Sequence, residues 1–489
     1  MSASTPFALM PNGSAFAWGD VPRWPVAEFA GLLAGELGRR ARLCSFFAMP
    51  DEGKKCLVAV LAFDGDNTLA VGRSEAFAGG FPSVTPRHPQ AHLFEREIWE
   101  QHGLVPEGHP WLKPVRKGVG GAPRNGEFFR VEGGEVHEVA VGPVHAGIIE
   151  PGHFRFQCAG EEVLHLEIAL GYQHRGVEEA LAGGPHAATR CQLEAVSGDA
   201  TAAHATAHAS VLEALAGVEA PLRAQWLRAI SLELERLANH TGDLGALAGD
   251  VAFLPTAAAN GKIRGDFLNM TALLCGNRFA RGLVVPGGCR HDLEPDRLRV
   301  LEAALQAGIA DVGRSGGWLW DSAAVRTRFE ETGTVTRSQA SKIGLVGPAA
   351  RACGLVRDVR YDHPAGWFRF AQIPVAVWPS GDVFARARVR SLEIERSGEF
   401  LLAQLAEPAD GPAREPLPPP SADTVAVSLV EGWRGEVCHV AVTGADGRFR
   451  RYKITDPSFH NWTGLALALR GTAISDFPVC NKSFSLSYC

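Results

Sequence analysis

The stretch VGPVHAGIIEPGHFRFQCAGEEVLHLEIALGYQHRGVEEA, residues 141–180, decides how the rest of the chain is read. Gly142, Pro143, Pro151 and Gly152 punctuate its first part, which therefore reads as a loop. The loop carries His145, Glu150 and His153 in an otherwise apolar setting. Phe154, Phe156 and Cys158 then alternate with polar residues, the period of a half-buried strand. Residues 163–170 alternate again, Leu164, Leu166, Ile168 and Leu170 against His165 and Glu167. A turn at Gly160-Glu161 joins the two runs into a hairpin. Beyond Gly171-Tyr172-Gln173-His174-Arg175-Gly176, Val177 opens a helical pattern.

At 489 residues the chain is long for one core, and about two to three domains are expected. Apolar residues at 46% and charged residues at 21% describe an ordinary globular protein. A net charge of -6 gives no ground for a nucleic-acid partner. No apolar run reaches about 18 residues, so no transmembrane segment is expected. The start, MSASTPFALMPNGS, lacks the basic and apolar regions of a signal peptide. A cytoplasmic location follows as the expectation, with any membrane attachment made through partners. The ten cysteines are scattered without a CxxC pair, and most should be buried thiols.

Residues 1–117 read as a small α/β domain. It has a helix over 25–37, strands over 41–49 and 56–63, and a helix over 91–101. Glu95-Arg96-Glu97 on the last helix reads, on its own, as a solvated face. Residues 118–134 are Gly-rich and polar and read as a linker; Gly118-Val119-Gly120-Gly121 lacks the preceding strand of a phosphate loop. Residues 135–489 form the second domain. An Ala-rich helix starts at Thr201. Pro221 opens a long helix with Leu222, Trp226, Ile230, Leu234 and Leu237 as its apolar stripe. Gly287-Gly288 reads as a close backbone approach. Helices are expected over 290–312, 336–344 and 386–404, an exposed polyproline stretch over 412–420, and a hairpin across 444–447.

Several of these runs resemble one family. GPVHAGIIEPGHFRF followed by LGYQHRGVEEAL resembles the large subunit of membrane-bound, energy-converting nickel–iron hydrogenases of the formate hydrogenlyase type. It also resembles the homologous quinone-proximal subunit of respiratory complex I. ELERLANH (233–240), GNRFARGLVVPGG (276–288) and DPSFHN (456–461) extend the likeness, the second as an Arg-containing turn entering the core. FPSVT with FEREIWEQHGLVPEGHP resembles the small hydrophilic complex I subunit that docks on that partner, which favours a docking role for Glu95-Arg96-Glu97. The resemblance implies an α+β protein: a small docking domain fused to a hydrogenase large-subunit-like domain with a central helix bundle and peripheral β hairpins.

What the resemblance implies for chemistry is less complete. A nickel–iron site needs four thiolates from two CxxC pairs. The first pair corresponds to Ser197 and Ala200, ahead of Ala203-His204. The second falls at Ser487, with Cys489 one residue short of the remaining position. A nickel–iron centre is therefore not expected, and no other metal site is assigned. The His and Tyr that hold quinone in complex I correspond to Ile149 and Ala195. Asp250 matches the carboxylate that partners that His. Glu150 matches the hydrogenase loop glutamate that carries protons, a role set against structural pairing with Arg155 or Arg236. The candidate catalytic residues are Glu150, Asp250, His145 and His153, and the candidate cofactor-binding residues are His204, Asp199 and Arg236. His204 and His208 have a spacing that can bind metal, but core or capping roles fit their Ala-rich helix better.

The expected role is that of a subunit passing electrons to quinone or another acceptor, coupled to ion translocation. The other reading is a non-catalytic coupling subunit. The implied partners are an iron–sulfur small subunit, which carries the cluster, and antiporter-like membrane subunits. No dinucleotide fingerprint is present, and NADH binding belongs to another subunit of such complexes.

Overall fold

The computed structural model describes residues 5–116, 128–145 and 149–488. The Gly118-Val119-Gly120-Gly121 run and Cys489 lie outside them, as does most of the expected linker.

The first domain is built on one strand with two buried faces. Lys54–Phe63 carries the continuous apolar run CLVAVLAF. A run of that kind belongs to a strand covered on both sides. It pairs antiparallel with Arg42–Asp51 on one side and Thr68–Ser74 on the other. Ala8–Met10 and Arg23–Trp24 complete the sheet against Thr68–Ser74. Leu57, Ala59, Leu61 and Phe63 face the helices Val26–Arg39 and His92–His102. Their alternates Val58, Val60 and Ala62 pack on Val425, Val427, Cys438 and Val440 of the second domain. The period of 2 thus divides one strand between its own domain and the next.

In the second domain the expected hairpin forms: His153–Ala159 pairs antiparallel with Glu162–Ala169, Phe156 opposite Leu166. A third strand, Val136–Val141, adds to its other edge. Behind it stands a bundle of Thr201–Leu215, Leu222–Asp250, Leu254–Cys275, Pro295–Asp321 and Val383–Ala406. Trp226, Ile230, Leu234 and Leu237 are buried as the stripe requires, whereas Leu222 in the first turn is exposed. The arginines of the 276–288 turn correct the expectation. Arg281 and Arg278 are both exposed, Arg278 lying over the Phe279 ring, while Leu283, Val284 and Val285 enter the core. Gly287, at φ +83°, is required where it is, because a Cβ would lie 2.3 Å from the Glu415 carbonyl oxygen.

The C-terminal hairpin, Gly435–Thr443 with Phe449–Thr455, is joined by Thr424–Gly432, a strand the sequence reading did not separate from the preceding coil. The fourth strand of that sheet is Ser14–Ala17, from the other end of the chain. Helices Pro457–Ala468 and Phe477–Phe484 close the fold.

Glu95, Arg96 and Glu97 are all buried, so the solvated-face reading is replaced. Glu95 accepts hydrogen bonds from Ser83 Oγ, Thr85 Oγ1 and Val84 N at 2.5–2.6 Å. Arg96 donates to the Lys113 and Pro114 carbonyls. Glu97 crosses to the second domain, 2.6 Å from Lys453 Nζ, with Arg116 2.8 Å away on its own side. Lys453 also holds Glu178 at 2.9 Å, so the helix that follows the organising hairpin is tied into the same joint.

Candidate functional site

The loop of residues 142–153 is stapled at both ends by its own histidines. His145 Nε2 donates to the Gly152 carbonyl and His153 Nδ1 to the Gly142 carbonyl, each at 3.1 Å. A carbonyl only accepts, so each ring carries its proton on the nitrogen named. Gly152 leaves room for an aromatic ring, since a Cβ there would meet Tyr488 Cε1 at 2.4 Å. Tyr488 in turn brings its backbone N–H to Glu150 Oε2 at 2.9 Å, and Gln173 Nε2 donates to Glu150 Oε1 at 2.9 Å. Arg155 pairs with Glu138, and Arg236 with Glu233 and Glu393.

Next to Tyr488, the turn before the helix Thr201–Leu215 meets the segment that follows the helix Phe477–Phe484. Ser197 Oγ and Ser487 Oγ, at positions where the resemblance would put cysteines, lie 3.4 Å apart and are buried. Arg434, which the sequence reading missed, supplies the cation here. Its guanidinium grips Asp199 with both terminal nitrogens, at 2.5 and 2.8 Å, and donates to Ser197 Oγ at 3.2 Å and to the Ser485 carbonyl. It lies 3.9 Å over the Trp433 ring. Trp433 Nε1 and Asn239 Nδ2 both donate to the Asp199 carbonyl at 2.9 Å, fixing that residue from behind. A bidentate Arg–carboxylate fork of this kind is both oriented and strong. The available signal was a charged Trp433-Arg434-Gly435 turn between two strands that are otherwise almost wholly apolar.

Beside Asp199, Glu235 caps the helix Thr201–Leu215, accepting from Ala202 N at 2.7 Å. Burial pushes its carboxyl up to about 8, with the Asp199 charge adding to the shift, so it is protonated at neutral pH. His204 on the same helix is fully buried, 3.1 Å from Asp456 Oδ2. Arg236 is sealed in a charged core with Glu233, Glu393, Arg351, Glu431, Asp358, Arg360 and His240. Asp250 stands exposed at the end of its helix.

A cavity of about 670 Å³ opens between the domains over this site. Its walls include Ser487, Tyr488, Asp456 and Trp462 on one side and Glu97 and Arg116 on the other. The residues singled out from sequence reach it through partners: Glu150 through Gln173 and Tyr488, Asp199 through Ser197 and Ser487, His204 through Asp456. Arg236 and Asp250 stand apart from that group. Among the described residues no cluster of three or more His, Cys, Asp or Glu side chains is arranged to hold a metal ion.

Comparison with known proteins gives this geometry its context. Residues 28–117 match the family described as respiratory-chain NADH dehydrogenase, 30 Kd subunit, and residues 250–425 match its 49 Kd counterpart. Formate hydrogenlyase subunit 5 of Escherichia coli (strain K12) is 30% identical over 83% of this chain and 76% of its own length. The chain belongs to the complex I-related family of membrane-bound hydrogenase subunits. Hydrogenase-4 component G of the same organism is 30% identical over 91% of this chain and 80% of its own length. NADH-quinone oxidoreductase subunit 4 of Thermus thermophilus is 26% identical over 70% of the chain and 90% of its own length. The two family matches fall in the two domains described above, in the same order. Among the described residues no helix is long and apolar enough to cross a membrane.

Proposed function

We propose that this family member is an electron-transfer subunit without a nickel–iron centre of its own. It delivers electrons from a docked iron–sulfur small subunit to a quinone or another acceptor in the interdomain cavity. Its complex sits on the cytoplasmic face of the inner membrane, and antiporter-like membrane subunits couple the transfer to ion translocation. The observation that carries the reading is the cavity itself, about 670 Å³, opening on Ser487 and Tyr488. That volume suits a small organic acceptor. Phe459, Trp462 and Ile454 offer it apolar wall, and Asp456 and Ser458 offer it polar contacts.

The residues do not fit a nickel–iron group. Soft metals of that kind need thiolates, and the matching positions offer two hydroxyls and a methyl group. The positive charge that metals would bring is already supplied by Arg434. The same ion pair favours the second reading, a coupling subunit without redox work, because it braces the residues around the vanished centre.

Measurements on the complex purified with its iron–sulfur partner separate the two. Nickel and iron are measured first, then the rate at which added quinone is reduced. Iron at the level of the iron–sulfur partner alone, with quinone turnover, is the expected result. Stoichiometric nickel overturns the metal-free reading, and no turnover with any acceptor leaves the coupling role.

A further inference from the structure

Five side chains stand in single file behind the cavity wall. Asp456 Oδ2 is 3.1 Å from His204 Nε2, and His204 Nδ1 is 3.1 Å from His439 Nε2. His439 Nδ1 is 2.9 Å from the Tyr452 hydroxyl, which lies 3.0 Å from His208 Nδ1. The helix Thr201–Leu215 supplies His204 and His208, four residues apart on one face. The two strands of the C-terminal hairpin supply His439 and Tyr452, and Asp456 caps the helix that follows. The three rings and the tyrosine are buried, while Asp456 lines the cavity.

With the His204 ring neutral, the hydrogens in this file have one arrangement. Burial holds the His208 ring down to about 3 and the His439 ring well below its ordinary value, so both are neutral. Burial alone would raise the Asp456 carboxyl, but the bond from His204 and the Arg434 charge outweigh it and hold it at about 2. A carboxylate only accepts, so His204 carries a hydrogen on Nε2, and in the neutral ring that leaves Nδ1 bare. His439 must then donate from Nε2, and its own bare Nδ1 accepts from the tyrosine hydroxyl. The tyrosine oxygen accepts from His208 Nδ1–H. Every hydrogen points toward the cavity.

We propose that His208, Tyr452, His439, His204 and Asp456 form a proton wire that discharges into the cavity. A proton taken up at His208 Nε2 releases the one on Nδ1 to the Tyr452 oxygen. The tyrosine proton passes to His439 Nδ1, the His439 Nε2 proton to His204 Nδ1, and the His204 Nε2 proton to Asp456 Oδ2. Four bonds to hydrogen break and five form, one proton enters from solvent, no electron moves, and the carboxylate ends neutral. Delivery of that proton to an acceptor being reduced in the cavity rests on the function proposed above; the wire itself does not.

The test uses the full chain labelled with nitrogen-15 at histidine. The rings of His204 and His439 are expected as Nε2–H and that of His208 as Nδ1–H, with neither His208 nor His439 gaining charge between about pH 5 and 8, where an ordinary histidine would titrate. Tyr452→Phe keeps the ring and removes the hydroxyl link. It should slow exchange of the His439 ring proton with water several-fold and release His208 from its enforced tautomer. If that variant fails to fold, His208→Gln breaks the file one link further out and is read by the exchange of the His439 ring proton alone. The opposite tautomer at His208 or His439, or equal exchange rates with the file intact and broken, overturns the wire. Neither readout requires turnover. A complex that reduces no acceptor therefore counts against the electron-transfer reading alone, and unchanged exchange in a working complex counts against the wire alone.

Discussion

Replacing Lys453 with Met removes the cation at the joint between the domains. Glu97 and Lys453 are both almost fully buried, at 2.6 Å. Burial would raise the Glu97 carboxyl, but Lys453 and Arg116 together hold it at about 2 against an ordinary 4.5. At about 1.4 kcal/mol for each tenfold change in the proton equilibrium, that difference is worth roughly 3 kcal/mol. Lys453→Met leaves Glu97 with Arg116 alone and Glu178 with Arg451, so neither carboxylate is orphaned. The loss should be about 2–3 kcal/mol at neutral pH, below the roughly 3–5 kcal/mol of a fully stranded buried charge. The sign with pH follows from the lowered carboxyl. Its contribution is complete above about 4.5 and disappears as the pH falls through about 2. Urea unfolding of the wild type and the variant between pH 7 and pH 3 should therefore show a stability gap that narrows on acidification. A gap below about 0.5 kcal/mol at pH 7, the range of an exposed pair, or one that does not change with pH, would refute the reasoning.

Glu393→Gln strands part of the charge on Arg351 and Arg236 in the core and should cost about 3–5 kcal/mol in denaturant midpoint measurements. Glu235→Gln should leave the fold intact and flatten the pH dependence. The raised carboxyl makes the wild type lose stability as pH rises from about 4.5 toward 8, a loss the amide cannot show in thermal unfolding across that range. Gly287→Ala must strain a positive φ and push on the Glu415 carbonyl, at a cost of roughly 1–3 kcal/mol seen as a lowered melting temperature. Glu95→Ala leaves the Ser83, Thr85 and Val84 donors without their shared acceptor and should destabilise the first domain by about 3 kcal/mol, followed by hydrogen exchange of its strands.

Periodicity made the hairpin at 153–169 legible, and Leu222–Asp250 kept a readable apolar stripe although it is buried almost all round, because its other faces carry charged residues paired inside the fold. The strand Thr424–Gly432 was missed for the opposite reason. Both its faces are covered, so no alternation marks it, and it follows directly on a proline-rich coil. Local sequence could not decide whether Glu95-Arg96-Glu97 faced water, since their partners lie in another domain and in a neighbouring turn. At the site, the serines were found by matching positions. Arg434, Asp456, His439 and Tyr452 were not, because each becomes informative only once residues more than two hundred positions apart are brought together. The two loop histidines read as chemistry in sequence, yet their rings fasten the loop to itself.

The pairing of Ser14–Ala17 with Thr424–Gly432 also constrains how the chain is made. Asn12 bonds to Leu429 across 417 positions, so the N-terminal segment emerges from the ribosome long before its neighbour exists. Until residues 425–442 are made, most of the apolar face shared by the two sheets has nothing to cover it. A nascent chain in that state is exposed to misassembly, and contacts of such long range are slow to close. A chaperone that shields the early sheet until that stretch is made would therefore raise the yield of native protein without altering its stability.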